Sequence, residues 1–342
     1  MSLVLNSFVP GNQNNEPAFG GSENLNRRRF LQKSFVASAG AALGLSLEEK
    51  ILLAQQQKTA EKSSAELPKG DIKDLPTGEI GNLTISRLIC GGNLISSFAH
   101  SRDLTYVSDL LQHYFTDEKV IETLALCEEM GINTAILRLD DHCIRIITKY
   151  WNERGGKLQW IAQVKIQEND LTTEIKKAVD EGAVGVYVHG GVADTFVEKS
   201  QVDLLGKAVE FIKQNKVVAG LAGHNVEVPI ACEKAGIKPD FYMKTLHSDS
   251  YWSAKREPEN DNIWCKTPEK TIEFMKTVTR PWIAYKVLAA GAIHPEDGFK
   301  FAYENGADFI CAGMFDFQVR EDVLIARDIL SAKLNRQRLW RG

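Results

Sequence analysis

The chain has 342 residues, 44% of them hydrophobic and 25% charged, a balance that excludes a disordered or fibrous protein and leaves room for one large domain or two ordinary ones. Lys and Arg total 41 against 45 Asp and Glu, and the formal net charge of −4 supplies no overall positive field for a phosphate backbone, so no nucleic-acid partner is expected. The six cysteines (Cys90, Cys127, Cys143, Cys232, Cys265 and Cys311) show no C-x-x-C spacing, which argues against a zinc knuckle or a redox pair and for unpaired thiols in a large core.

Near the N-terminus, Asn26-Arg27-Arg28-Arg29-Phe30-Leu31-Gln32-Lys33 precedes an uncharged stretch from Ser34 to Ser46 that is rich in Ala and Gly. The arginine pair, the Phe-Leu after it and the weakly apolar run resemble a twin-arginine export signal. The run is far shorter than the ~20 residues a bilayer core requires, so no integral membrane span is expected. This resemblance implies folding before export, the twin-arginine translocase as a transient partner and a periplasmic location. Residues 1–54 are read as the signal segment, the Gln-, Lys- and Ser-rich stretch 55–75 as a solvated linker, and 76–342 as the folded domain.

From Leu75 onward, short apolar runs alternate with longer amphipathic ones. The runs lie near Ser86–Cys90, Asn133–Leu137, Trp160–Lys165, Gly185–His189, Val217–Leu221, Asp240–Lys244, Trp282–Val287 and Asp308–Cys311. Helical patterns follow at 117–130, 141–154, 170–181, 197–214, 226–235, 268–278, 295–304 and 320–333. A repeated phrase closes a helix and opens a strand: Glu129-Met130-Gly131-Ile132-Asn133, Asp180-Glu181-Gly182-Ala183-Val184, Lys234-Ala235-Gly236-Ile237-Lys238 and Glu304-Asn305-Gly306-Ala307-Asp308. Eight such units predict an α/β fold, a (β/α)8 TIM barrel. The competing architecture is a doubly wound sheet, but Cys90-Gly91-Gly92-Asn93 is only a glycine pair where that fold places G-x-G-x-x-G. Two insertions, at 94–116 and 248–267, would overhang the active face of a barrel.

In a barrel, residues at strand C-termini share one mouth. Here they are Asn93, Arg138 with Asp140 and Asp141, Lys165, His189, His224 with Asn225, Lys244, His247, Lys286, and Asp316 with Gln318. A lysine that ends an apolar strand, as Lys165 and Lys286 do, can be desolvated into a range that suits proton transfer or Schiff-base chemistry, or can serve as one half of an ion pair. His189 precedes Gly190-Gly191 and would stand at a strand tip beside free backbone N–H groups. If His189, His224 and His247 converge, they would suit a divalent metal and a metal-dependent sugar lyase or isomerase. Tyr251, Trp252 and Trp264 could wall a sugar ring or pack on one another. Lys165 and His189 are the candidate catalytic pair. Arg138, Asp140, Asp141, His224, Asn225, Lys244, His247 and Lys286 are the candidate substrate-binding residues.

Leu83-Thr84-Ile85-Ser86-Arg87-Leu88-Ile89-Cys90-Gly91-Gly92 resembles the opening of aldo-keto reductases, and Glu128-Glu129-Met130-Gly131-Ile132-Asn133 resembles their first helix end and second strand. Gly223-His224-Asn225 and Ala284-Tyr285-Lys286-Val287-Leu288-Ala289-Ala290-Gly291 resemble the segments of their fifth and seventh strands. The resemblance implies a carbonyl substrate, NADP(H) as cofactor, and Lys165 and His189 at the family's catalytic lysine and histidine. It departs from the family where Ile136 and Asp141 stand at the places of its aspartate and tyrosine, and where the Ala312-Gly313-Met314-Phe315 stretch lacks a basic residue for the 2′-phosphate. The expectation is an exported enzyme acting on a small carbonyl or polyhydroxylated substrate; a non-catalytic sugar binder is the alternative from another class.

Overall fold

The structure, a computed structural model, describes residues 46, 49–50, 52–54, 75–101, 104–251, 254 and 264–342. The chain divides into two compact units, Met1–Gly70 and Asp71–Gly342. In the first, Ser46 and Glu49 cap each other: the Ser46 N–H donates to Glu49 Oε2 at 2.7 Å, and the Glu49 N–H to Ser46 Oγ at 3.2 Å. The arginine motif at 27–29 and the run that follows it to 45 lie outside the described residues. No helix among the described residues is long and apolar enough to cross a membrane.

The second unit opens with an antiparallel hairpin, β1 (Thr77–Ile80) and β2 (Leu83–Ser86). Eight strands then close a parallel barrel in sequence order: β3 (Leu88–Gly91), β4 (Thr134–Arg138), β5 (Gln159–Val164), β6 (Gly185–Val188), β7 (Val218–Gly223), β8 (Phe241–Thr245), β9 (Trp282–Tyr285) and β10 (Phe309–Ala312), with β10 pairing β3. The expected (β/α)8 barrel is therefore the fold.

Strand periodicity sorts side chains into two cores. Ile89, Ile136, Ile161, Tyr187, Val218, Ala222, Phe241, Met243, Ile283, Phe309 and Cys311 fill the barrel, joined from the hairpin by Ile80 and Ile85. The alternate residues, among them Cys90, Leu137, Trp160, Val186, Leu221, Tyr242, Trp282 and Ile310, face the helices. At the repeated phrase, Gly131, Gly182, Gly236 and Gly306 all have positive φ, the left-handed turn that returns each helix to its next strand.

The outer layer comprises α1 (Tyr106–Tyr114), α2 (Asp117–Glu129), α3 (Asp141–Arg154), α4 (Thr173–Asp180), α5 (Gly190–Glu198), α6 (Val202–Gln214), α7 (Glu227–Lys234), α8 (Pro268–Thr277), α9 (Pro295–Glu304) and α10 (Asp316–Ser331). The helix expected over 197–214 is two helices, α5 and α6, parted where Ser200 turns left-handed at φ 60°. The insertion at 94–116 contains α1. All six cysteines are free and buried.

Beneath the barrel the C-terminal tail is tied by arginines. Asp308, fully buried, takes Arg336 Nη2 at 2.8 Å on one oxygen and Arg338 Nη1 at 2.5 Å on the other, and also accepts the Trp282 and Arg341 N–H groups at 2.9 and 3.0 Å. Arg87 donates to the Gly342 and Asp308 carbonyls at 2.6 and 3.0 Å, with its guanidinium 4.3 Å from the Trp340 ring centroid.

Candidate active site

The inward-facing phase of each strand decides which polar residue reaches the mouth. On β4, Ile136 points into the barrel, so Arg138 two residues on stands above it. Arg138 Nε donates to Asp140 Oδ2 at 3.1 Å, and its guanidinium lies 3.4 Å from the Phe98 ring centroid. Asp140 also caps α3, accepting the Cys143 N–H at 2.8 Å. Asp141, one residue further, is 94% exposed at its side chain and pairs with Lys177 on α4 at 3.1 Å.

On β5 the inward phase runs through Ile161 and Gln163 to Lys165. Gln163 Nε2 donates to the Tyr187 hydroxyl at 2.8 Å. The Lys165 backbone N–H donates to Glu174 Oε2 at 2.6 Å, and its exposed side chain pairs with no carboxylate among the described residues. On β6 the phase runs through Tyr187 to His189, the N-cap of α5. His189 Nδ1 accepts the Gly191 N–H at 3.1 Å, which assigns its proton to Nε2 and turns that N–H outward as a donor. Burial, then Lys165, His224 and Arg138, hold its pKa down to about 4, with Asp194 opposing. The ring is therefore neutral at physiological pH.

His224 follows β7. Its Nδ1 lies 2.8 Å from Asp194 Oδ2, and the carboxylate also accepts the His224 N–H at 3.1 Å and the Asn225 N–H at 3.0 Å. Asp194, on α5, is nearly buried, so these bonds replace its lost water. The pair fixes the His224 ring with its proton on Nδ1 and leaves Nε2 as a lone-pair acceptor. Its ring centroid lies 6.3 Å from His189, 5.7 Å from Tyr285 and 5.0 Å from Trp264. Asn225 contributes its backbone, its side chain being exposed.

On β8 the phase runs Phe241, Met243, Thr245, so Lys244 faces the helix layer. Only 1% exposed, it donates to the Thr245 carbonyl at 2.9 Å and hydroxyl at 2.6 Å, and burial lowers its pKa to about 8. His247 also points away. Its Nε2 accepts the Trp264 and Cys265 N–H groups at 3.2 and 3.0 Å, while Nδ1 lies 2.9 Å from the Ser248 carbonyl, so both nitrogens fasten the loop. His189, His224 and His247 thus do not assemble as a donor set, and no three His, Cys, Asp or Glu among the described residues could hold a metal ion.

On β9, Tyr285 points inward and its buried hydroxyl has no hydrogen-bond partner among the described residues. A Cβ on Gly190 would lie 2.8 Å from that hydroxyl and 3.1 Å from His224 Cε1, so glycine at the start of α5 is what lets the three groups share this space. Lys286 follows with φ 58°, a left-handed conformation disfavoured for a side chain with a Cβ. Its Nζ sits 4.2 Å from the Trp264 ring centroid, and burial lowers its pKa to about 8. Trp264 also meets His100 edge-on at 5.3 Å, so this half of the expected aromatic wall packs on imidazoles; Trp252 lies outside the described residues.

NADP(H) would need a phosphate cradle after β10, and the residues there do not fit one. Asp316 opens α10, accepting the Tyr114 hydroxyl at 2.5 Å and Lys119 at 3.1 Å; the Phe315 N–H donates to Gln318 Oε1 at 3.2 Å, and Arg320 is exposed. A phosphate at this helix end would meet a carboxylate and an already engaged N–H.

Sequence reasoning missed Asp194, Tyr285 and His100. Asp194 had a signal, a lone acid within Val192-Ala193-Asp194-Thr195-Phe196-Val197, and Tyr285 had one in the two-residue phase of β9.

No protein-family model matches the sequence, nor does any curated protein. Two solved structures assigned to an aldo-keto reductase of Pseudomonas aeruginosa match at a TM-score of 0.54, with 16% and 15% identity, covering 76% and 77% of this chain and 97% and 99% of theirs. The apo form of a protein designated Gox0644 matches at a TM-score of 0.52 with 10% identity, covering 76% of this chain and 89% of its own. At these identities the likeness shows the fold, a distant aldo-keto-reductase-like barrel, and leaves the chemistry to the residues.

Proposed function

We propose that the chain is an enzyme that moves protons on a small carbonyl or polyhydroxylated substrate at the C-terminal mouth of the barrel, an isomerisation or elimination type of reaction. The observation that carries this is the Asp194–His224 pair facing a neutral His189 across 6.3 Å. Asp194 holds the His224 ring so that Nε2 serves as the base, while the His189 Nε2–H polarises the substrate oxygen, a task a neutral imidazole at a helix N-terminus performs. Lys165 and Arg138 add positive charge where an enolate or alkoxide oxygen would develop. The Lys165–His189 pair of the sequence reading thereby becomes a donor with a flanking cation, and the base comes from the next strand.

Solvent-exchange NMR tests this. In D2O the full chain is expected to place deuterium on the carbon next to the carbonyl of glyceraldehyde or dihydroxyacetone, and His224→Gln to slow it by about 10²-fold or more. Saturable binding with no exchange would point to a sugar binder instead. Export belongs to the same proposal and rests on the arginine motif. Replacing Arg28 and Arg29 with Lys is expected to keep the full chain in the cytoplasmic fraction, and unchanged fractionation would contradict export by that route.

A further inference from the structure

Three lysines end barrel strands, and the fold gives them unlike surroundings. Lys165 stands exposed beyond β5. Lys244 is 1% exposed between sheet and helices, its amine bonded to the neighbouring threonine, where no substrate reaches. Lys286 is between these extremes: partly exposed at the mouth, with its amine against the Trp264 face. No carboxylate lies within ion-pair distance of it among the described residues, so it is not one half of a structural salt bridge.

Around Lys286 the mouth supplies the other groups an amine nucleophile needs. Trp264, which holds the amine, is 5.0 Å from the His224 ring, which is in turn 5.7 Å from the Tyr285 ring. The Tyr285 hydroxyl is a buried donor that lacks an acceptor among the described residues, a gap an oxygen of a bound ligand would fill. The backbone around the amine is held in sparsely populated conformations at three non-glycine residues, Lys286, Ala289 and Ala290, with φ of 58°, 45° and 54°. Strain of this kind persists only where the surrounding structure over-determines it, and it concentrates at functional sites.

We propose that Lys286 is a catalytic nucleophile that forms an imine with the carbonyl group of a small aldehyde or ketone bearing a neighbouring hydroxyl. The Nζ lone pair attacks the carbonyl carbon, a C–N bond forms, and the carbonyl electron pair moves to oxygen, which takes a proton from the Tyr285 hydroxyl. Tyr285 is reprotonated by the nitrogen. The nitrogen lone pair then forms C=N as the C–O bond breaks; the oxygen leaves as water, carrying in total the two protons the amine gave up. Nothing is oxidised or reduced. A proton taken up by the imine nitrogen makes the adjacent C–H acidic, and His224 Nε2 removes it to give the enamine; hydrolysis reverses the sequence. With a pKa of about 8, roughly a tenth of the amine is free at pH 7, enough to start the reaction.

This rests on the proposed proton transfer at the same mouth, and the two can fail separately. The full chain is incubated with glyceraldehyde or dihydroxyacetone, reduced with borohydride, and read by intact mass and peptide mapping, with deuterium exchange measured in parallel. The expected result is one equivalent of adduct, the triose less one oxygen, on the peptide holding Lys286. Lys286→Arg should remove it and slow exchange by about 10²-fold or more with its melting temperature unchanged, and Lys286→Met serves if the arginine variant fails to fold. Exchange that survives in either folded variant overturns the imine and leaves the proton-transfer reading standing. An adduct at Lys286 without exchange supports the imine and overturns that reading. Labelling spread over surface lysines, with none at Lys286, overturns the imine, and no adduct and no exchange from the wild type overturns both.

Discussion

The two ends of the barrel are built on opposite principles. At the N-terminal end, the β1–β2 hairpin plugs the interior with Ile80 and Ile85, and Asp308 gathers four donors while three arginines hold the last residues of the chain. At the C-terminal end a tyrosine hydroxyl has no hydrogen-bond partner among the described residues, a lysine sits in a left-handed backbone, and His189 and Lys286 are held away from their usual protonation ranges by burial. Most polar groups at the first end are spent on one another, although the buried Arg336 Nε has no partner among the described residues. At the second, Asp194 holds His224 and Asp140 holds Arg138, while among the described residues the Tyr285 hydroxyl has no hydrogen-bond partner and the Lys165 and Lys286 amines have no carboxylate, which costs stability and leaves them able to act on a substrate.

Changes at the closed end should cost folding and leave chemistry to whatever remains folded. Asp308→Ala strips the counter-ion from buried Arg336 and Arg338, and denaturant unfolding should show a loss of about 3–5 kcal/mol. A loss under 1 kcal/mol would mean the arginines are held by the carbonyls alone. At the open end the pattern should invert. Asp194→Asn is expected to lower turnover by about 10²-fold with a much smaller effect on unfolding, and the double variant with His224→Gln should be no worse than the His224 change alone, because the two act as a unit. Gly190→Ala sharpens this: its Cβ would crowd the Tyr285 hydroxyl and His224 Cε1, so kcat should fall by about 10-fold or more while the barrel still folds cooperatively.

Acid should reach the open end in a defined window. The folded pKa of His189 is depressed to about 4 from a usual 6.5, so between those values the unfolded chain binds more protons and stability falls as pH falls. Its stabilising share is fully present above about pH 6.5 and gone below about pH 4, amounting to about 1–2 kcal/mol after allowance for its partial exposure. His100 and His247, also depressed by burial, add in the same direction. Unfolding of His189→Gln across this range should show a shallower pH dependence than wild type. The smallest effect belongs to the strained turn: Ala290→Gly relieves an exposed left-handed alanine, and a gain of about 0.5 kcal/mol in unfolding free energy is expected.

The barrel was legible because its two periodicities are written locally. Each of the eight barrel strands is anticipated within about three residues, the β1–β2 hairpin is not, and the glycine phrase marks four helix-to-strand turns that the fold places at positive φ. The mouth was legible only in part, for two reasons. Lys244 ends a strand like Lys165 and Lys286, but the phase Phe241, Met243, Thr245 sends it to the helix layer, and that phase was in the sequence to be read. Asp194 and Tyr285 gain their meaning from neighbours on other strands, which no local spacing records. The arginine tail was invisible for the same reason: Arg336 and Arg338 read as surface charge until Asp308, some thirty residues earlier, is placed beside them.

The most direct test of a mouth built for proton transfer is 15N NMR of the seven histidine rings in the full chain from pH 4 to 8. The expected result is a His189 ring, assigned through His189→Gln, that stays neutral with its proton on Nε2 down to about pH 5, beside a His224 ring that carries its proton on Nδ1 when neutral. A His189 ring that titrates near 6.5 with mixed tautomers would contradict the arrangement, because it would place the imidazole in water, with no fixed Nε2–H to aim at the substrate oxygen.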